Sequence, residues 1–245
     1  MIRYKLTIEF DGTNFSGWQI QPDSRTVEEE IEKAFSQILQ QPIDLIGQGR
    51  TDAGVHAKGQ VAHVDLPEGI NPEKLRFGVN GLIGDEIQIH EIEEVDSEFH
   101  ARFDATYREY EYTILMKSSP LLHRISWFPN HSIDIQKVKE CCALLKGAFD
   151  FGGFSKFNED NYTTLCTILL SEIEEISEEI VFRIRANRFL RNMVRRLVGT
   201  VVEVGKGKMT VSEFKEILEN PSSEIRTFTA PAKGLILAKV FYEKI

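Results

Sequence analysis

Apolar and polar residues alternate from the start of the chain, with Tyr4, Leu6, Ile8 and Phe10 set against Lys5, Thr7 and Glu9. A period of two predicts a half-buried β-strand. The period then lengthens: Val27, Ile31, Ala34, Phe35, Ile38 and Leu39 recur at helical spacing behind Thr26 and Glu29, which read as a capping box, and Pro42 closes the helix. Strand character returns at 44–46 and 61–66. Asn71 followed by Pro72 predicts a second helix, Asn as cap and Pro in the first turn, fading near Gly81. Strands are expected at 87–95 and 108–116.

Beyond a Pro-containing stretch at 120–129 the same economy repeats. Asp134 caps a helix through Leu145, closed by Gly147, and strands follow at 168–176 and 180–186. An amphipathic helix is expected over 188–202, with Phe189, Met193, Leu197 and Val201 on one side and Arg188, Arg191 and Arg195 on another. Thr210 and Glu213 form a second capping box before a short helix that stops at Pro221, and a last strand covers 234–242. This pattern predicts an α+β fold of two similar halves, 1–116 and 117–245, sharing a mixed, mainly antiparallel central sheet flanked by helices.

Composition narrows the function classes. The 245 residues are 42% hydrophobic and 27% charged, enough for a full core. The first residues form a strand pattern and not a secretory signal, and no apolar run reaches membrane-spanning length, so a cytoplasmic protein without a membrane partner is expected. Three cysteines, two of them adjacent, fit neither a disulfide framework nor a zinc site. The six histidines lack ligand spacing, so no metal is expected. Net charge is −9, yet between Val181 and Lys208 eight basic residues face only Glu203. A positive face on an acidic body fits a polyanion.

The densest chemistry is Gly49, Arg50, Thr51, Asp52, Ala53, Gly54, Val55 and His56. Glycines there let the backbone turn sharply and leave the Asp52 carboxylate with little bulk around it. An Asx turn between strands is the plain alternative. Gly47, Gln48 and Gly49 lack the third glycine and following helix of a dinucleotide fingerprint, so no nucleotide cofactor is expected. Tyr110 and Tyr112 share one strand face, where they either pack the sheet or stack a base. The Arg188, Arg191 and Arg195 stripe is either a solvated helix face or a phosphate-binding one.

Six ordered blocks carry a resemblance across nearly the whole chain: Phe10–Gly12 with Gly17–Gln19, Gly49–His56 with Gly59–Val61, Phe99–Phe103, Arg108 with Tyr110, Asn187–Gly199, and Ala230–Ala232 with Gly234 and Leu235. The sequence resembles the tRNA pseudouridine synthase A family. That resemblance implies the pseudouridine synthase fold and cofactor-free isomerisation of uridine to pseudouridine at positions 38, 39 and 40 of the tRNA anticodon stem-loop, by a homodimer. It implies Asp52 as catalytic carboxylate, Tyr110 as stacking aromatic and proton acceptor, Arg195 as partner of Asp52, and Leu235 as a wall of the uracil pocket. Arg50 would hold the flipped nucleotide, and Arg188 and Arg191 would bind substrate phosphates. Cys166 stands where the family often has Arg, and Gly84 lies near a frequent Pro. A silent RNA-binding module on the same fold is the competing class, and only an enzyme would release tritium from C5 of labelled uridine.

Overall fold

The structure, a computed structural model, describes residues 1–157, 162–222 and 225–243. The chain divides into two compact units, residues 1–106 with 237–245, and residues 107–236. The expected α+β class is observed, with a mixed, mainly antiparallel sheet and five helices among the described residues.

In the first unit β1 (Ile2–Phe10) pairs antiparallel with β3 (His56–Leu66) and β4 (Ile87–Glu94). Short β2 (Leu45–Gly47) adds to β3, giving the order β4-β1-β3-β9 with β9 (Leu235–Phe241) returning late in the sequence. The alternation read at the amino terminus is the pleat itself: Tyr4, Leu6, Ile8 and Phe10 are buried. Helix α1 (Val27–Leu39) buries Val27, Ile31, Ala34 and Phe35, and α2 (Pro72–Ile83) buries Leu75, Val79 and Ile83. Asn71 caps α2 as expected, its side chain accepting from Lys74 N–H at 3.0 Å. The first capping box does not form. Glu29 pairs with Lys33 at 2.7 Å instead of reaching back, and the Thr26 hydroxyl is buried with no hydrogen-bond partner among the described residues.

In the second unit β5 (Tyr107–Leu115) pairs antiparallel along its length with β8 (Glu179–Ala186), followed by β7 (Leu165–Ile176) and β6 (Gly147–Asp150), in the order β5-β8-β7-β6. Helices α3 (Ile135–Leu144), α4 (Met193–Gly205) and α5 (Val211–Glu219) complete it. Asp134 accepts from Gln136 N–H and Lys137 N–H, and the Thr210–Glu213 box forms in both directions. All three cysteines are buried and unbridged, and burial pushes the Cys141 and Cys166 thiols up to about 12 and about 11. No helix among the described residues is long and apolar enough to cross a membrane.

One expected element is shorter than its pattern. Helix α4 begins at Met193, so Arg188 and Arg191 lie in an irregular segment ahead of it and not on a helical stripe with Arg195. Asn192 takes a left-handed φ of 61°, and the Arg191 carbonyl accepts from Lys156 N–H at 2.9 Å. Asn187 is tied to Thr167 by two bonds, N–H to carbonyl at 3.1 Å and side-chain oxygen from N–H at 2.8 Å. These tertiary ties outcompete the helical path that periodicity alone predicts.

Candidate active site

Asp52 and Arg50 belong to the first unit, in the loop that joins β2 to β3. The loop is held by backbone bonds on both sides of Asp52. Trp18 N–H donates to Thr51 O at 3.3 Å, Val55 N–H to Asp52 O at 3.1 Å, and Gly54 N–H to Phe15 O at 3.3 Å. Gly17, with φ +102°, passes so close that a Cβ there would lie 2.5 Å from Thr51 O. A Cβ on Gly12 would lie 2.0 Å from Val55 O. Gly12 and Gly17 therefore let the 12–18 segment pack directly against the acid loop. Asp52 itself stays half-buried and Arg50 exposed.

Polar side chains finish the clamp. Gly12 N–H donates to His56 Nδ1 at 3.0 Å. Asp11 Oδ1 lies 3.1 Å from the same nitrogen. Fully buried Gln60 donates to Gly49 O at 3.1 Å. The Trp18 indole donates to Glu28 Oε1 at 3.0 Å, and Ile20 N–H donates to Glu28 Oε2 at the same distance. Burial raises the pKa of that carboxyl, and these two donors oppose the rise.

A second buried anchor fixes the Phe99–Phe103 block. His63, 2% exposed, accepts from Ala101 N–H through Nδ1 at 3.2 Å, while Arg3 holds Asp65 in two bonds of 2.8 Å and donates to Phe99 O at 3.0 Å. Burial, with Arg3 and His100 nearby, lowers the His63 pKa to about 4. Above the unfolded value of 6.5 both states are neutral and stability is full. As pH falls from 6.5 to about 4 the unfolded chain gains a proton that the folded chain refuses, and about 2–3 kcal/mol is lost. His63→Gln, which keeps an acceptor, should show a shallower loss over that window in urea unfolding; parallel curves would contradict this.

Tyr110, Arg188, Arg191, Arg195 and Leu235 belong to the second unit. Tyr110, half-buried on β5, meets the Phe189 ring edge-on at 5.1 Å and 90°. Arg195, in the first turn of α4, donates from Nε to Ala230 O at 2.9 Å and from Nη1 to Asn192 Oδ1 at 3.4 Å, so its guanidinium plane is fixed. Ala230 N–H returns a bond to Arg195 O at 3.0 Å. Gly199 makes this possible, since a Cβ there would sit 2.2 Å from Phe228 O. Leu235 is 6% exposed at the start of β9. Arg191 is exposed and Arg188 half-buried. Sequence reasoning missed the Glu28–Trp18 link and the role of Tyr112, whose hydroxyl donates to Pro231 O at 2.8 Å.

The sequence pattern of the tRNA pseudouridine synthase family matches residues 6–104 and 141–243. The chain belongs to that family. The tRNA pseudouridine synthase A of Brevibacillus brevis is 41% identical over 246 residues, spanning 99% of this chain and 100% of its own. Those of Bacteroides thetaiotaomicron and Acetivibrio thermocellus are 39% and 38% identical, each over 99% of this chain and over 91% and 100% of their own. The enzyme is an isomerase that turns uridine into pseudouridine in tRNA.

Proposed function

We propose that the uridines isomerised are those at positions 38, 39 and 40 of the anticodon stem-loop, that Asp52 is the catalytic carboxylate, and that the enzyme works without a cofactor, as a cytoplasmic homodimer. The observation that carries this reading is the clamped loop: a half-buried carboxylate on a turn fixed by backbone bonds from Trp18, Gly54 and Val55 and by the buried side chains of His56 and Gln60. The reaction breaks N1–C1′, turns the base, forms C5–C1′ and moves the C5 proton, so reactant and product are isomers and no redox group enters. It needs an acid or nucleophile at the sugar or base and an acceptor for the C5 proton. Asp52 takes the first role and Tyr110 the second.

Reaching a paired uridine costs a few kcal/mol of unstacking, of which an aromatic stack returns about 1–3. Tyr110, braced by Phe189, is the stacking surface, Leu235 the apolar wall, and Arg195 the cation that partners Asp52. Arg50 holds the everted nucleotide. Arg188 and Arg191 supply phosphate contacts. The direct test is tritium release from tRNA labelled at uridine C5: the enzyme releases label from positions 38–40 and a binding module releases none.

Phosphate contacts predict a salt signature. The logarithm of tRNA affinity should fall linearly with the logarithm of salt, and Arg191→Ala should reduce that slope by about one phosphate contact, near 0.7–0.9. Filter binding across a salt series checks it. An unchanged slope would remove Arg191 from the RNA face.

A further inference from the structure

Arg195 and Leu235 both depend on one short segment, and a single buried side chain grips it at two points. Residue 230 is bonded reciprocally to Arg195, through Ala230 N–H to Arg195 O at 3.0 Å and Arg195 Nε to Ala230 O at 2.9 Å. The next carbonyl, Pro231 O, receives the Tyr112 hydroxyl at 2.8 Å. Three residues on, Gly234 lies against the same ring, where a Cβ would stand 2.6 Å from Cε1 and Cζ. Leu235 follows directly. Tyr112 is two residues from Tyr110 on β5, fully buried, and backed by Trp127 edge-on at 6.3 Å.

We propose that Tyr112 is a positioning residue for the isomerisation, its hydroxyl and ring holding residues 230–235 so that Arg195 and Leu235 keep a fixed offset from Tyr110 on the neighbouring position of β5. The proposal rests on the assignment of Arg195 and Leu235 to the active site. Tyr112 is too deeply buried to touch the nucleotide, so it acts through the segment it holds. Burial drives its pKa far above the usual tyrosine range, which keeps the hydroxyl a donor at every working pH.

Tyr112→Phe removes the donor and keeps the ring. In single turnover at saturating tRNA, well below the melting temperature, the rate constant should fall about tenfold while tRNA affinity stays within about twofold, as expected when reacting groups are misplaced but binding is kept. The pH profile should remain parallel to wild type. Incorporating 4-aminophenylalanine at 112, which restores an N–H donor, should restore the rate. In an Arg195→Met background Tyr112→Phe should add less than about a twofold loss, because the segment then has no guanidinium to aim. Should Tyr112→Phe fail to fold, Gly234→Ala presses on the same ring and should slow single turnover similarly. An unchanged rate, a loss that multiplies with that of Arg195→Met, or a loss confined to tRNA affinity would overturn the proposal. Arg195→Met turning over at the wild-type rate would sink the Arg195 assignment itself, whereas a slowed Arg195→Met with an unaffected Tyr112→Phe sinks only the role of Tyr112.

Discussion

Asp52→Asn should abolish tritium release from C5-labelled tRNA, a fall of at least about 10³-fold in turnover, with tRNA affinity within about twofold of wild type. The substitution is close to isosteric, and the backbone bonds that Trp18, Gly54 and Val55 donate at the loop do not involve the carboxylate. Folding stability should therefore change by less than about 1 kcal/mol. What is lost is the negative charge and the nucleophilic or basic oxygen. A variant that turned over at more than a few per cent of the wild-type rate would remove Asp52 from the chemistry. One that lost affinity along with turnover would make Asp52 a binding residue.

The second large effect is expected at Gly17. Alanine there meets two separate obstacles, a φ of +102° that L side chains rarely adopt and a Cβ 2.5 Å from Thr51 O with Asp52 C at 3.3 Å. Both partners are backbone, so no side chain can swing away. The expected cost is about 2–4 kcal/mol in urea unfolding, together with a fall in turnover even where the protein remains folded, because the displaced atoms belong to the acid loop. Gly49→Ala is the matched control. It has no atom within 4 Å of its Cβ position and should leave stability nearly unchanged. Equal stability of the two variants would contradict the clamp.

That contrast shows how far the glycine pattern could be read. The loop stood out because glycines bracket an acid, but the structure gives the bracketing unequal weight: Gly54, at φ +75°, needs its freedom, whereas Gly49 has open space. The tight approach comes from Gly12 and Gly17, some 35–40 residues earlier, and no local pattern links them to Asp52. Strands and helices were legible where burial follows one period, as in β1 and α1. They were not where a long-range bond intervenes. The 188–202 segment has helical periodicity throughout, yet its first turns are drawn out by Lys156, Thr167 and the left-handed Asn192. Phe189, placed on the helix by its spacing, instead braces Tyr110 from the irregular segment. Thr26 and Glu29 spell a capping box, but Lys33 one turn on takes the glutamate.

Candidate side chains were thus easier to find than their supports. Asp52, Tyr110 and Arg195 carry distinctive chemistry and sit in ordered blocks shared with the family. Glu28, Gln60 and Tyr112 act on backbone carbonyls or on an indole distant in sequence, and a carbonyl leaves no mark in the residue string. The supports are also where the geometry is most specific, as in the bond from Tyr112 to Pro231 O.

The central claim, that this chain's Asp52 makes pseudouridine in the anticodon stem-loop, is tested most directly by mapping pseudouridine in tRNA from cells lacking the gene and complemented with either the wild-type chain or Asp52→Asn. The account predicts uridine at positions 38–40 in the deleted strain, pseudouridine restored by the wild-type chain, and uridine again with the Asn variant at equal protein level. Pseudouridine persisting at those positions without the gene, or returning with the Asn variant, would contradict it.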